Sequence, residues 1–145
     1  MSDVPAGLLT ADAVRLDVAV PDRDTAIRVV GRLLVEVGAV QEAYVGSMLQ
    51  RERTTTTNLG RGFAIPHGSE GSQALVRRDA LCVVRFATPV PWGDSDVDVA
   101  VGIAARGDAH APALGRLARI IGDAEQAAAL RAETDPEAVV RLLVG

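Results

Sequence analysis

Lysine is absent from this 145-residue chain, and all 15 basic residues are arginine. Any phosphate site must therefore use guanidinium groups, imidazoles or backbone N–H groups, because the chain offers no side-chain ammonium. Acidic residues also outnumber basic ones, since 19 acidic residues give a net charge of -4 and a pI of about 5.1. That balance argues against nucleic acid as a partner.

Cysteine occurs once, at Cys82, so an internal disulfide is excluded and the chain suits a reducing, cytoplasmic compartment. The segment Met1–Thr10 carries the acidic Asp3 and lacks the basic region and long apolar run of a signal peptide. No apolar run approaches the roughly 18 residues needed to cross a bilayer. The sequence therefore predicts no membrane insertion, and a transport role would need a pore from another chain.

Aromatic residues are scarce at 3%, whereas 48% of the residues are hydrophobic and 23% are charged. A chain of this length and composition can bury a core, and that core must be mainly aliphatic. No repeat or low-complexity linker divides the sequence. It predicts a single domain spanning residues 1–145.

Hydrophobic periodicity predicts an α/β fold in which helices cover both faces of a mixed central β-sheet. A helix is expected to begin after Asp22 or Asp24 and to end near Gly38, and the last helix to begin at Asp135. Residues 54–62 are expected to form a loop and residues 88–93 a turn. The predicted strands are residues 14–20, 63–65, 81–86 and 97–104, and further helices are expected at 42–53 and after Gly107.

The usual motifs of metal and nucleotide sites are missing. His67 and His110 are the only histidines, and no CxxC, HExxH, EF-hand, P-loop or GxSxG spacing occurs. The Gly60–Gly62 segment lacks the third glycine of a dinucleotide fingerprint. The sequence therefore predicts no metal and no cofactor. The alternating Asp94, Asp96 and Asp98 are expected to be a solvated strand edge.

His67 lies in an unusual setting, after Phe63-Ala64-Ile65-Pro66 and before Gly68. Pro66 restricts its own backbone and favours an extended Ile65. Gly68 leaves room beside the imidazole for a large partner. Local features alone still favour an ordinary surface or core histidine over a functional one.

Three segments carry a family resemblance. The segment 58–68 resembles the phosphorylation site of enzyme IIA domains of the mannitol/fructose class, in the phosphoenolpyruvate-dependent sugar phosphotransferase system. The segment 47–53 is similar to the family's helix end with an active-site arginine, and 101–110 to its strand-to-helix segment with a second histidine. The likeness extends from about Val14 to the C-terminus.

The resemblance implies a phosphocarrier. His67 would accept a phosphoryl group from HPr or an HPr-like donor and pass it to a cysteine of an enzyme IIB. His110 would donate a hydrogen bond to the phosphoryl group, and Arg51 would stabilise its charge, with Arg53 as the rival for that role. Cys82 lies in an apolar strand and is expected to be a small core residue instead of a phosphoryl acceptor.

Two other functions fit the same sequence. The first is a regulatory phosphoprotein of the nitrogen-related phosphotransferase branch, and the second is a non-catalytic interaction module. Four apolar residues are candidates either for a partner surface around His67 or for the core: Phe63, Ile65, Pro91 and Trp92. The transported sugar is not encoded here, because its selection belongs to a membrane component.

Overall fold

The computed structural model describes residues 7–145. The first six residues of the Met1–Thr10 segment, for which no signal peptide is expected, lie outside the described residues. The strands are β1 (Val14–Val18), β2 (Asn58–Gly60), β3 (Phe63–Ala64), β4 (Ala80–Trp92) and β5 (Ser95–Ala104). The helices are α1 (Arg23–Glu36), α2 (Ala43–Thr54), α3 (Ala111–Ile121), α4 (Ala124–Ala132) and α5 (Pro136–Val144), and short 3₁₀ turns occupy Ala11–Ala13 and Ser72–Leu75.

The five strands form one mixed sheet in the order β1-β4-β5-β3-β2. The β1–β4 and β3–β5 pairs are parallel, whereas the β4–β5 and β2–β3 pairs are antiparallel. Since β3 and β5 run in the same direction, their carboxyl ends lie at the same edge of the sheet. Both segments that carry a histidine leave the sheet at this edge.

Helices cover both faces of the sheet, which confirms the predicted α/β class. On one face Gly102 of β5 lies opposite Cys82 of β4, and a Cβ added to Gly102 would collide with Val30 of α1. Side chains alternate along a strand, so Arg85 points to the other face. There its guanidinium donates to the carbonyls of Leu130 (3.1 Å) and Glu133 (2.6 Å), at the end of α4.

Aspartate side chains cap the N-termini of three helices. The Asp22 carboxylate accepts from the Thr25 N–H at 2.8 Å, and this bond lowers the pKa of Asp22. Asp123 and Asp135 cap α4 and α5 in the same way. Of the two caps proposed for α1 the structure selects Asp22, and the predicted Asp135 cap is confirmed.

Two predicted irregular segments are strands instead. The expected turn at residues 88–93 belongs to β4, which runs to Trp92, and the chain reverses at Gly93, whose φ is +78°. The register of β4 against β5 shifts between Arg85 and Val90, which accommodates Pro89. Part of the expected 54–62 loop forms β2. Both strands belong to hairpins, since β2 pairs with β3 and the end of β4 pairs with the start of β5. Their glycines and prolines resemble turn signals, which is why the sequence pattern predicted irregular structure.

Candidate functional site

His67 lies just beyond the carboxyl end of β3 and continues the parallel pairing with β5. Its backbone forms a bridge with Ile103, whose N–H donates to the Pro66 carbonyl at 3.0 Å. The ring Nδ1 lies 2.7 Å from the Ile65 carbonyl oxygen. Because a carbonyl only accepts, Nδ1 is assigned the proton, and the neutral ring then carries its free electron pair on Nε2.

The backbone after His67 is held by α2. The Gly68 N–H donates to the Tyr44 hydroxyl and the Ser69 N–H to the Ser47 hydroxyl, both at 2.8 Å. A Cβ at Gly68 would lie 2.5 Å from the Tyr44 ring. The glycine is therefore needed for internal packing against Tyr44, and the expectation that it opens space for an external partner is wrong.

His110 leaves the sheet edge on the neighbouring strand. It follows the end of β5 by six residues and occupies the N-cap position of α3, without a capping bond from its side chain. Its ring Nδ1 is buried and has no hydrogen-bond partner within residues 7–145. A buried ring nitrogen of this kind is costly unless a ligand or water pairs with it.

Arg51 and Arg53 project from opposite sides of α2. At about 100° per residue, Arg51 lies roughly 20° from Tyr44 around the helix, whereas Arg53 lies about 180° away. Arg51 thus shares the face that holds the His67 segment, and Arg53 is exposed. In this structure the Arg51 guanidinium donates to the Thr55 carbonyl, one turn away.

The Arg131–Asp98 ion pair lies against the turn at Arg61, which precedes the His67 segment, and Arg131 also binds that turn. Arg131 of α4 donates to the Asp98 carboxylate at 2.7 and 3.1 Å and to the Arg61 carbonyl at 2.6 Å. Its guanidinium also lies 4.8 Å from the centre of the Phe63 ring. Asp98 is therefore half-buried and paired, and the expectation of a solvated edge fails for this residue, although Asp94 and Asp96 are exposed.

Glu52 is a buried carboxylate that sequence reasoning missed. It accepts from the Thr57 N–H and hydroxyl, from the Thr56 hydroxyl at 2.5 Å and from the Trp92 indole N–H at 3.1 Å. These bonds pair both oxygens of the buried Glu52 carboxylate and hold the chain between α2 and β2 in place. The available signal was the run of four threonines that begins at the last residue of the helix, since hydroxyls and amides are natural partners for such a carboxylate.

Comparison with known proteins identifies the family. The family model described as "Phosphoenolpyruvate-dependent sugar phosphotransferase system, EIIA 2" matches residues 7–144. The chain belongs to this family.

Named relatives agree with this assignment. The mannitol-specific phosphotransferase enzyme IIA component of Halalkalibacterium halodurans is 35% identical over 118 residues, which cover 81% of each chain. The multiphosphoryl transfer protein of Xanthomonas campestris pv. campestris is 40% identical over 146 residues, 100% of this chain and 17% of that protein. The chain spans only 17% to 33% of the three multiphosphoryl transfer proteins first matched.

A solved structure shares the fold. Enzyme IIA for mannitol from Escherichia coli, in a complex with phosphorylated enzyme IIB, superposes with a TM-score of 0.84 at 28% identity. The match covers 94% of this chain and 98% of that chain. The predicted resemblance to enzyme IIA domains of the mannitol/fructose class is thus confirmed.

In this enzyme IIA domain an apolar groove of about 220 Å³ flanks the His67 segment. Its lining residues are Leu59, Ile65, Leu114, Leu117, Ala118 and Ile121. Of the four surface candidates only Ile65 contributes to it. Phe63 and Trp92 are fully buried and belong to the core, and Pro91 is exposed elsewhere. Leu59, 49% exposed, was not predicted.

The expectation for Cys82 as a core residue is confirmed, since its side chain is fully buried. Burial raises the pKa of this thiol to about 12. Within residues 7–145, no helix is both long and apolar enough to cross a membrane. Over the same range no cluster of three His, Cys, Asp or Glu side chains could hold a metal ion.

Proposed function

We propose that this enzyme IIA domain, acting as one unit over residues 1–145, is a cytoplasmic phosphocarrier for mannitol- or fructose-type sugar uptake. His67 accepts a phosphoryl group from phosphorylated HPr or an HPr-like donor. It then passes the group to a cysteine of a sugar-specific enzyme IIB. The protein is in this sense a phosphotransferase whose own side chain is the intermediate carrier.

The observation that carries the proposal is the bond between His67 Nδ1 and the Ile65 carbonyl. With its proton held at Nδ1, the neutral ring presents the Nε2 electron pair to the donor phosphorus. The new N–P bond forms as the donor's N–P bond breaks, and the donor imidazole recovers its electron pair. In the second transfer a cysteine thiolate attacks the phosphorus and His67 regains the pair.

Two further groups suit the transferring phosphoryl group. His110 follows the strand next to His67 and has a buried ring nitrogen without a partner in the described residues. It would donate a hydrogen bond to a phosphoryl oxygen near the start of α3, where the helix field favours negative charge. Arg51 would turn from its contact with the Thr55 carbonyl and stabilise the phosphoryl charge through two donors.

The apolar groove beside Ile65 supports a protein partner. One wall comes from Leu114, one turn beyond His110 on α3, and another from the exposed Leu59 of β2. An apolar side chain of the donor or of enzyme IIB would fill it and bring the partner's reacting group to His67. The same groove would serve both partners in turn, because both must reach the same imidazole.

His67→Ala tests the proposal, because it removes the acceptor nitrogen at a half-buried site. The wild-type protein should gain one phosphoryl mass from a phosphorylated HPr-type donor, and the variant should gain none. Intact-mass spectrometry followed by peptide mapping at alkaline pH, which preserves phosphohistidine, makes the measurement. Glu70→Ala, at an exposed neighbouring position, is the matched control and should be phosphorylated normally.

The second transfer separates the proposal from its alternative. Phosphorylated wild-type protein mixed with an enzyme IIB of the mannitol or fructose type should lose its phosphoryl group to the IIB cysteine. A protein that is phosphorylated on His67 but transfers nothing to such IIB domains would instead be the regulatory phosphoprotein of the nitrogen-related branch. Phosphorylation of the His67→Ala variant would refute both.

A further inference from the structure

Two side chains of α2 bind the main chain immediately after His67. Tyr44 and Ser47 are three residues apart and share one face of the helix. The Tyr44 hydroxyl accepts from the Gly68 N–H and the Ser47 hydroxyl from the Ser69 N–H, each at 2.8 Å. Two successive amides that follow the phosphoryl-accepting residue are therefore occupied by side chains from a single helix.

Tyr44 also connects this segment to the sheet. Its hydroxyl donates to the Ile103 carbonyl at 2.9 Å, and the Ile103 N–H donates to the Pro66 carbonyl at 3.0 Å. Ile103 thus binds the residue before His67 directly and the residue after it through Tyr44. The backbone on both sides of His67 is tied to one residue of β5.

The chemistry of a phenol matches these two bonds. One O–H can donate once, to the Ile103 carbonyl, while an oxygen electron pair accepts from Gly68. Burial raises the pKa of Tyr44, so the hydroxyl keeps this proton at neutral pH. Phenylalanine would fill the same space yet leave a buried carbonyl and an amide without this partner.

We propose that Tyr44 and Ser47 are positioning residues for phosphoryl transfer, which hold the 65–69 backbone so that His67 keeps Nδ1 on the Ile65 carbonyl and Nε2 free. The inference rests on the proposed function of His67. The hydrogen bonds that Tyr44 and Ser47 form with this part of the chain reach backbone groups, so each acts through the backbone. Loss of either anchor lets the ring turn away from the Ile65 carbonyl, which lowers the fraction of molecules with a correctly directed Nε2.

The test uses Tyr44→Phe and Ser47→Ala in the full chain. Each variant should accept a phosphoryl group from the phosphorylated donor about tenfold to a hundredfold more slowly than wild type. Nuclear magnetic resonance of the ¹⁵N-labelled imidazole reports the second readout. The wild-type His67 ring should have its proton on Nδ1, and the variants should show a mixture of both tautomers.

Three further variants separate positioning from stability. Gly46→Ala, one residue before Ser47 and facing open space, should leave rate and tautomer unchanged. Val14→Ala removes buried volume in β1, the edge strand at the end of the sheet opposite to β3 and β2. It should lower the midpoint of thermal unfolding without altering the His67 tautomer. Ser47→Thr keeps a hydroxyl and should recover most of the rate lost in Ser47→Ala.

Each result decides the inference. Slower transfer together with a mixed tautomer in Tyr44→Phe and Ser47→Ala, but not in Val14→Ala, would establish it. Wild-type transfer rates with an unchanged tautomer would overturn the inference and leave the carrier function intact. A decrease in transfer rate no larger than that of Val14→Ala, at equal stability, would do the same. Failure of wild-type protein to accept phosphate would refute the proposed function, while the tautomer measurement would still decide the roles of Tyr44 and Ser47.

Discussion

His67 and His110 differ in what the fold offers their ring nitrogens. The Nδ1 of His67 has a carbonyl at 2.7 Å, whereas the Nδ1 of His110 is buried with no partner in residues 7–145. Under the proposed function, the first arrangement would direct a nucleophilic nitrogen outward, and the second would leave a ring nitrogen for the phosphoryl group. The sequence motifs contain both histidines and also Ile65, but the direction of the His67 ring and the burial of the His110 ring depend on the folded structure.

His110→Ala should slow phosphoryl transfer through His67 by about a hundredfold, because one donor to the transferring group is lost. His110→Asn keeps a donor of similar reach and should lose less. Rapid-quench measurement with a phosphorylated donor gives the rates, and circular dichroism checks that both variants fold. Equal rates in wild type and His110→Ala would remove His110 from the site.

At the scale of elements, the turn of the β2–β3 hairpin combines a left-handed backbone with close packing. Gly60, Arg61 and Gly62 all have positive φ, and the non-glycine Arg61 has φ +56°. The Arg131 guanidinium donates to the Arg61 carbonyl of this turn and forms an ion pair with Asp98 of β5. A Cβ at Gly62 would lie 2.5 Å from both the Arg131 guanidinium and the Asp98 carboxylate.

Gly62→Ala should therefore destabilise the fold by about 2–3 kcal/mol, since it adds a collision to the strain of an alanine at positive φ. Gly93→Ala is the matched control, because Gly93 also has positive φ but faces open space, and it should cost only about 1 kcal/mol. Urea denaturation measures both free energies of unfolding. Similar decreases in the free energy of unfolding of the two variants would show that the Arg131–Asp98 pair moves to accommodate the added methyl group.

At the scale of the whole molecule, the central strands form a largely aliphatic core with Cys82 inside it. The thiol is fully buried beneath α1, and burial raises its pKa to about 12. A thiol reagent can reach this residue only when the sheet and helix separate. Cys82 thus reports on opening of the core, and its proposed exclusion as a phosphoryl acceptor has a physical cause.

Alkylation of Cys82 by iodoacetamide at pH 8 should be at least about a thousandfold slower in the native protein than in urea, because it requires unfolding. The double variant Cys82→Ala, Ala74→Cys places the thiol at an exposed position and should react at nearly the unfolded rate. Mass spectrometry of timed samples provides both rates. Rapid native labelling of Cys82 would indicate a core that opens locally.

The sequence by itself determined the α/β class, the bounds of α1 and α2, the start of α5, the core role of Cys82 and the family, because periodicity, capping residues and linear motifs are local properties of the chain. Only the tertiary structure decided that Tyr44 and Ser47 bind the segment after His67, and therefore that the helix face with Arg51, not the one with Arg53, points toward that segment. It also decided that Phe63 and Trp92 are core and that Leu59 lines the groove. These outcomes depend on which distant segments meet, and a single sequence carries no direct record of such contacts.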